Sequence, residues 1–170
     1  MKKVAFIGQQ CAGKTTAAMV VQSNIEHHMK FAWPLYSINQ ILGVHKHRGF
    51  MQEQADLIKK HFGRKFFIDA FAGEMNFQNI VTSREDKLVL VNDDCRLQLE
   101  FDYLKNHGWQ TVYIEASEEI RRERAKTLGL EFIADHNSET EVPSLKSQCD
   151  LVIVNEGALE EFKETVKRLV

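Results

Sequence analysis

Residues 8–15 read Gly-Gln-Gln-Cys-Ala-Gly-Lys-Thr, which is the spacing GxxxxGK[ST]. The two glycines let the backbone curl so that successive N–H groups can surround phosphate oxygens. Lys14 can place a positive charge on the β and γ phosphates, and the Thr15 hydroxyl is a ligand suited to Mg²⁺. A chance match in a chain of this composition is expected well under about once in a hundred. The pattern therefore predicts a loop that binds a nucleoside triphosphate, with Cys11 as a small filler rather than a nucleophile.

A pair of acidic residues, Asp93 and Asp94, follows the apolar run at residues 88–91. A carboxylate at the end of a buried strand, beside the phosphate loop, could hold Mg²⁺ directly or through water. The competing interpretation is an ordinary strand-end turn, where Asp is common because of its local hydrogen bonding. We favour the metal, and the residues alone leave open which aspartate reaches it.

Three arginines, Arg121, Arg122 and Arg124, crowd one predicted helix that leads into a polar segment. Phosphoryl transfer needs positive charge on the phosphate oxygens and exclusion of water. A helix followed by a polar excursion resembles the lid of a small kinase, whose arginines would close on the phosphates. The alternative is a solvated helix face on which Glu118 and Glu119 pair with the arginines.

Short apolar runs alternate with helical patterns along the chain, which is the signature of βαβ units. Five strands are predicted, at residues 4–7, 29–33 (the weakest), 88–91, 111–114 and 151–154. The expected architecture is α/β, a doubly wound, mostly parallel five-stranded sheet flanked by helices. All 170 residues are expected to form a single domain. Within it we predict a substrate-side helical insert at about 34–76, broken near Gly63, and a short lid at about 126–145.

Composition limits the kinds of partner. A formal net charge of −2 gives no broad basic field of the kind that nucleic-acid binders use, so no nucleic-acid partner is expected. The apolar run at residues 4–7 is too short for a signal peptide core or a membrane span. Three widely spaced cysteines form no metal or disulfide pattern. We expect a cytoplasmic protein with no membrane partner, either a monomer or a homodimer.

Several short blocks, in the right order, resemble phage-type deoxynucleoside monophosphate kinases. Residues 94–100, with Gly108 after the next helix, resemble the family's D-x-R-x-x-x-E block. Residues 31–35 resemble its F-A-x-P-L segment. Its substrate-side helices are similar to the segments that contain Arg48 with Gln52 and Phe66-Phe67. Residues 136–139 are similar to its H-x-S-E, and residues 155–157 to its N-x-G. Animal phosphomevalonate kinases are similar in several of the same blocks.

The resemblance implies a P-loop kinase fold and ATP-dependent, Mg²⁺-dependent phosphorylation of a (deoxy)nucleoside monophosphate to its diphosphate. It places Asp94 at the metal, beside Thr15, or at the acceptor phosphate, and gives the three helix arginines the role of lid charge. The expected ATP-binding residues are Gly8, Gln10, Cys11, Ala12, Gly13, Lys14, Thr15, Thr16, Asn155 and Gly157. The expected acceptor-binding residues are Trp33, Arg48, Gln52, Phe67, Asp94 and Arg96.

Two other functions remain open at this point. One is a kinase of another phosphorylated metabolite, such as phosphomevalonate. The other is a non-catalytic nucleotide-binding switch, although the chain has no Asn-Lys-x-Asp motif for reading guanine. The sequence also departs from the family pattern, because residues 97–99 lack a polar Asn and the loop lacks the commoner Ser before Gly13. These departures indicate a divergent member.

Overall fold

The structure is a computed structural model that describes residues 2–21, 28–44, 48–81, 89–133 and 137–169. Of residues 48, 78–81, 137 and 138 it describes the backbone only. Four strands lie at Lys2–Ile7 (β1), Val89–Asn92 (β2), Gln110–Glu115 (β3) and Leu151–Val154 (β4). The helices are Lys14–Val21 (α1), Trp33–Ile41 (α2), Arg48–Phe62 (α3), Phe66–Val81 (α4), Gln98–Asn106 (α5), Glu118–Thr127 (α6), Asn137–Thr140 (α7), Val142–Leu145 (α8) and Leu159–Lys167 (α9), with a 3₁₀ turn at Lys146–Gln148.

The four strands form one parallel sheet in the order β2-β1-β3-β4. Val4 pairs with Val91 of β2, and Phe6 pairs with Val112 of β3. The chain leaves β1 for β2 on one side and then returns to β3 on the other side. The strand order therefore reverses between β1 and β3, and the crevice outside the carboxyl ends of these strands is the usual ligand position in such sheets.

The predicted fifth strand, at residues 29–33, is wrong. It is reduced to one parallel bridge between His28 and Val91, followed by a hydrogen bond from the Met29 N–H to the Val91 carbonyl. The next backbone donors, those of Phe31 and Ala32, turn instead to the Asp94 carboxylate. A ladder cannot continue without these donors, and α2 begins at Trp33.

Both faces of β1 are buried, as expected of a parallel sheet covered by helices. Ala5 and Ile7 belong to a core on the side of α2–α5, while Val4 and Phe6 belong to a second core under α1 and α9. This alternation follows the two-residue period of a strand. The larger core joins the helical insert to the sheet.

Aromatic packing holds the insert in place. Phe31 stacks on Phe71 of α4 with ring centroids 4.2 Å apart, and Tyr103 of α5 meets both rings edge-on. The break predicted near Gly63 is present, since α3 ends at Phe62 and α4 begins at Phe66. No helix among the described residues is both long and apolar enough to span a bilayer.

Candidate active site

The phosphate loop runs from the end of β1 to the first turn of α1, the setting that its motif requires. Gly8 and Gly13 adopt φ values of +153° and +113°. A Cβ on Gly8 would lie 2.4 Å from the Ile114 carbonyl oxygen, and one on Gly13 would lie 2.4 Å from the Asn155 amide nitrogen. Both positions therefore require glycine, because of the backbone angle and because of the neighbouring atoms.

Gly13→Ala should lower the free energy of unfolding by about 1–3 kcal/mol, because it forces a strained backbone angle and a clash. Gly73→Ala is the matched control. A Cβ on Gly73 would meet nothing within 4 Å, and the residue lies inside α4. Alanine there should stabilise the protein by up to about 1 kcal/mol. Urea denaturation of both variants measures the difference, and equal effects would contradict this account of the loop.

Lys14 and Thr15 stand at the start of α1, where backbone N–H groups and the helix dipole favour anions. The Lys14 ammonium is buried and donates to the Gln9 carbonyl, 2.8 Å away across the loop. The Thr15 hydroxyl donates to a carboxylate oxygen of Asp93 at 2.7 Å. The loop and the segment after β2 thus meet at a pair of oxygen atoms.

Asp93 is the acidic centre of the site. Its other carboxylate oxygen lies 2.8 Å from His28 Nε2 and 2.8 Å from Lys30 Nζ. Burial alone would raise the pKa of Asp93, but the hydrogen bonds with His28 and Lys30 and the positive charge of Lys30 outweigh burial and hold that pKa well below its usual range. Asp93 is therefore an anion throughout the neutral range, as a metal ligand must be.

Asp94 has a different set of contacts. Its carboxylate accepts hydrogen bonds from the backbone N–H groups of Phe31 (3.1 Å) and Ala32 (2.9 Å) and from the Asn92 amide (2.8 Å). Asp94 therefore organises the turn that leads into α2. The geometry favours Asp93 over Asp94 as the metal ligand beside Thr15, and metal binding by either stays a prediction.

Two of the three predicted lid arginines reach the phosphate loop. Arg121, which is buried, donates to the Ala116 carbonyl at 3.2 Å and to the Gln10 carbonyl at 3.4 Å. Arg124 donates to the Cys11 carbonyl at 3.4 Å and to the Asn155 carbonyl at 3.0 Å. Arg122 is more than half exposed and pairs with Glu118 at 2.7 Å, the surface contact that the competing interpretation predicts.

Arg124→Ala should weaken Mg-ATP binding by about 10- to 100-fold, the range for loss of a hydrogen bond that involves a charged group. Arg122→Ala should leave binding almost unchanged, since exposed ion pairs contribute less than about 1 kcal/mol. Titration calorimetry on the two variants, which lie two residues apart on α6, makes the comparison. Equal losses of affinity would contradict the distinction.

Asn155 braces the loop from the end of β4. Its side-chain amide donates to the Ala12 carbonyl at 2.8 Å, and its own N–H bonds to the Glu115 carbonyl at 2.7 Å. Gly157 and Thr16 line the cleft in front of the loop. Asn155 therefore contacts the loop backbone, and its predicted contact with the nucleotide is not tested.

One cleft of about 1140 Å³ joins the phosphate loop to the helical insert. Gln52, Phe67, Asp94 and Arg96 line it together with the loop residues Gln10, Cys11, Gly13, Lys14 and Thr15. Trp33 is 40% exposed and is not part of the lining. Gly8 and Ala12 lie in the loop behind the lining. Arg48 begins α3, and its side chain lies outside the described part of the structure.

Arg96 and Glu100, four residues apart, are joined through the backbone of Arg96. One oxygen of Glu100, Oε2, caps α5 by accepting the N–H groups of Arg96 (2.8 Å) and Leu97 (3.1 Å). The Arg96 guanidinium instead pairs with Glu139, a buried carboxylate after α6. Burial raises the pKa of Glu100 to about 7.

The raised pKa of Glu100 predicts a pH-dependent stability. The folded protein holds this proton more tightly than the unfolded chain, so the contribution is full below pH 4.5 and is lost as pH rises to about 7. At about 1.4 kcal/mol per pKa unit, the loss is up to roughly 3 kcal/mol. Glu100→Gln keeps an oxygen for the cap and removes the titration. Between pH 4.5 and about 7 the free energy of unfolding of Glu100→Gln should rise relative to that of the wild type. The same dependence on pH in both proteins would contradict the prediction.

Sequence reasoning missed both Lys30 and His28. Lys30 reaches Asp93, and its ammonium lies 5.6 Å from the centre of the Tyr36 ring. The available signal was the parallel pairing of this segment with β2, which brings residue 28 beside Val91 and so places the next residues near Asp93.

No family model matches the chain, and no curated protein matches it. Solved structures do. A gluconokinase from Sinorhizobium meliloti 1021 is 14% identical, with a TM-score of 0.55 and coverage of 99% of this chain and 93% of the other. A shikimate kinase from Aquifex aeolicus vf5 is 18% identical, with a TM-score of 0.54 and coverage of 98% and 94%. A shikimate kinase from Acinetobacter baumannii, in complex with shikimate, is 18% identical, with a TM-score of 0.52 and coverage of 99% and 92%.

The chain has the P-loop kinase fold. The fold prediction is thus confirmed, and the sheet formed by the described residues has four strands rather than five. At these identities the likeness concerns the fold alone. The resemblance to phage-type deoxynucleoside monophosphate kinases, and every site role given above, stay predictions.

Proposed function

We propose that this chain is a Mg²⁺-dependent kinase that transfers the γ-phosphoryl group of ATP to a (deoxy)nucleoside monophosphate, giving the diphosphate and ADP. The observation that carries the proposal is a single cleft with two chemically different walls. One wall holds the phosphate loop and the Thr15–Asp93 oxygen pair. The other holds Arg96 beside apolar side chains such as Phe67.

On the donor wall, the loop N–H groups and Lys14 would hold the triphosphate. Thr15 and Asp93 fit Mg²⁺, since it prefers oxygen ligands and is usually bound by one or two carboxylates together with substrate phosphates. When bound, the cation would offset charge on the phosphate oxygens. Asp93 would then exchange its contact with Lys30 for the metal, which frees a cation within the cleft.

On the acceptor wall, Arg96 provides a planar guanidinium suited to a phosphate monoester. Tyr36, Met51 and Phe67 line the space beyond it, and Gln52 adds an amide that can hydrogen-bond a base. An oxygen of the acceptor phosphate would attack the γ phosphorus in line, with positive charge on both sides. Such a transfer needs positioning and charge and no protein nucleophile.

Two observations favour other acceptors. The structural neighbours named above act on shikimate or are named gluconokinase, so a hydroxylated acid is a candidate. Animal phosphomevalonate kinases share the H-x-S-E block, so phosphomevalonate is a second candidate. The aromatic and apolar lining suits a flat base better than a polyhydroxy acid, which would need many polar partners.

The test is ADP release by the full chain with Mg-ATP, offered the common ribo- and deoxynucleoside monophosphates, phosphomevalonate, shikimate and gluconate. Selective turnover of one or more nucleoside monophosphates is expected. Turnover of another compound alone would retain the kinase chemistry and refute the acceptor. No turnover of any compound, with ATP binding intact, would favour a nucleotide-binding switch.

A further inference from the structure

Gln10 of the phosphate loop forms hydrogen bonds with the segment that follows α6. The buried Gln10 side chain donates to the Glu131 carbonyl at 2.6 Å and accepts the Ile133 N–H at 3.0 Å. The Gln10 backbone N–H donates to a carboxylate oxygen of Glu139 at 2.7 Å. Three hydrogen bonds thus tie a single loop residue to residues more than 120 positions away.

The second oxygen of the Glu139 carboxylate forms an ion pair with Arg96. One oxygen accepts the Gln10 N–H, and the other is paired with the Arg96 guanidinium. Glu139 is only 1% exposed, and a buried carboxylate is costly unless it is paired and hydrogen-bonded. Both contacts help to satisfy this buried charge, so a change in one of them bears on the other.

Glu139 lies behind the cleft rather than in it. Gln10 and Arg96 both line the cleft, on the donor and acceptor walls respectively, whereas Glu139 does not line it. Its near-complete burial has the same meaning, since a substrate in the cleft could not reach it. Its effect on substrates is therefore indirect, through residues that it contacts, among them Gln10 and Arg96.

We propose that Glu139 is a positioning residue that couples the donor site to the acceptor site. The chain of contacts Gln10–Glu139–Arg96, here named the Glu139 clasp, transmits a shift of the Gln10 peptide on triphosphate binding to the Arg96 guanidinium. The consequence is that ATP orients Arg96 for the acceptor phosphate, and the acceptor strengthens ATP binding by the same factor. The direction of this coupling rests on the proposed function, whereas the clasp rests on the contacts alone.

A purely structural role of Glu139 would give a different experimental result. If Glu139 only fills and neutralises the space behind the cleft, its removal lowers stability and leaves the response of Arg96 to nucleotide intact. The clasp predicts that the response is lost even under conditions where the variant is fully folded. The NMR signal of the Arg96 guanidinium distinguishes the two, because it reports the side chain directly and needs no turnover.

The experiment follows that signal in the full chain as a Mg-bound non-hydrolysable ATP analogue is added. The variants are Glu139→Gln, which keeps the shape and removes the charge, and Glu141→Gln, which changes an exposed carboxylate two residues away. In the wild type and in Glu141→Gln the analogue should shift the Arg96 signal. In Glu139→Gln the analogue should still bind, with the Arg96 signal already changed from that of the wild type and unresponsive to the analogue. If Glu139→Gln does not fold, Glu139→Asp, which is too short to reach both partners, replaces it.

A second arm measures the coupling with deoxythymidine monophosphate as the probe. The analogue should raise its affinity for the wild type within the usual range of about 5- to 150-fold, and by almost nothing for Glu139→Gln. An Arg96 signal that responds equally in both proteins, or not at all in the wild type, would overturn the clasp. If the analogue does not bind the wild type, the proposed function fails, and the clasp is then judged by whether Glu139→Gln alone releases Arg96.

Discussion

Replacing Lys14 by Met should reduce kcat for phosphoryl transfer by about 10²- to 10³-fold, the range for loss of one well-placed charge donor. The variant keeps the length and apolar stem of the side chain and removes its positive charge. That charge lies over the loop, 2.8 Å from the Gln9 carbonyl oxygen. The loss should therefore concern the transition state more than the fold.

Single-turnover measurements at saturating Mg-ATP, together with thermal unfolding, test this expectation. Lys163→Met is the control, because Lys163 forms a surface pair with Glu160 on α9 and does not line the cleft. It should keep normal turnover. Near-normal turnover by a folded Lys14→Met protein would refute the catalytic role of the phosphate loop.

Asp93→Asn should have the second largest effect, a loss of the response to Mg²⁺. An amide cannot replace a carboxylate as a charged ligand, and the site would keep only the Thr15 hydroxyl. We expect the Mg²⁺ concentration for half-maximal rate to rise by about tenfold or more, within the range seen when metal-site interactions are removed. Titration of Mg²⁺ at fixed ATP measures it.

Asp94→Asn is the matched comparison, since the same change is made one residue away. Asp94 bonds to the backbone of Phe31 and Ala32, so its substitution should lower stability by about 1–3 kcal/mol and leave the Mg²⁺ titration midpoint in place. If Asp94→Asn moves the midpoint and Asp93→Asn does not, the original sequence-based choice of Asp94 is the right one.

The phosphate loop could be predicted from the sequence because its chemistry is local. The glycine positions, Lys14 and Thr15 are fixed by a spacing of eight residues, and the strand before and the helix after are each visible as patterns. The failure of the predicted fifth strand could not be foreseen, since the pattern is short and the outcome depends on Asp94, more than 60 residues away. That carboxylate takes the donors that a ladder would need.

For a similar reason, the sequence does not determine whether Asp93 or Asp94 contacts Thr15. Adjacent residues at a strand end project to different sides, and only the position of the neighbouring elements decides which one meets Thr15. Arg121, Arg122 and Arg124 looked alike in sequence and differ in the structure because α6 turns one face toward the loop. Glu139 carried no spacing signal that linked it to Gln10 or Arg96.

The central claim is that the cleft carries a phosphoryl group from ATP to an acceptor monophosphate. The most direct measurement is to incubate the full chain with Mg-ATP labelled in the γ-phosphoryl group and with the nucleoside monophosphate that ADP release identifies, and then to separate the products. We predict that the label appears in the nucleoside diphosphate, and that it does so in the wild type and not in Lys14→Met. Label found only in inorganic phosphate, or left in ATP, would contradict the account.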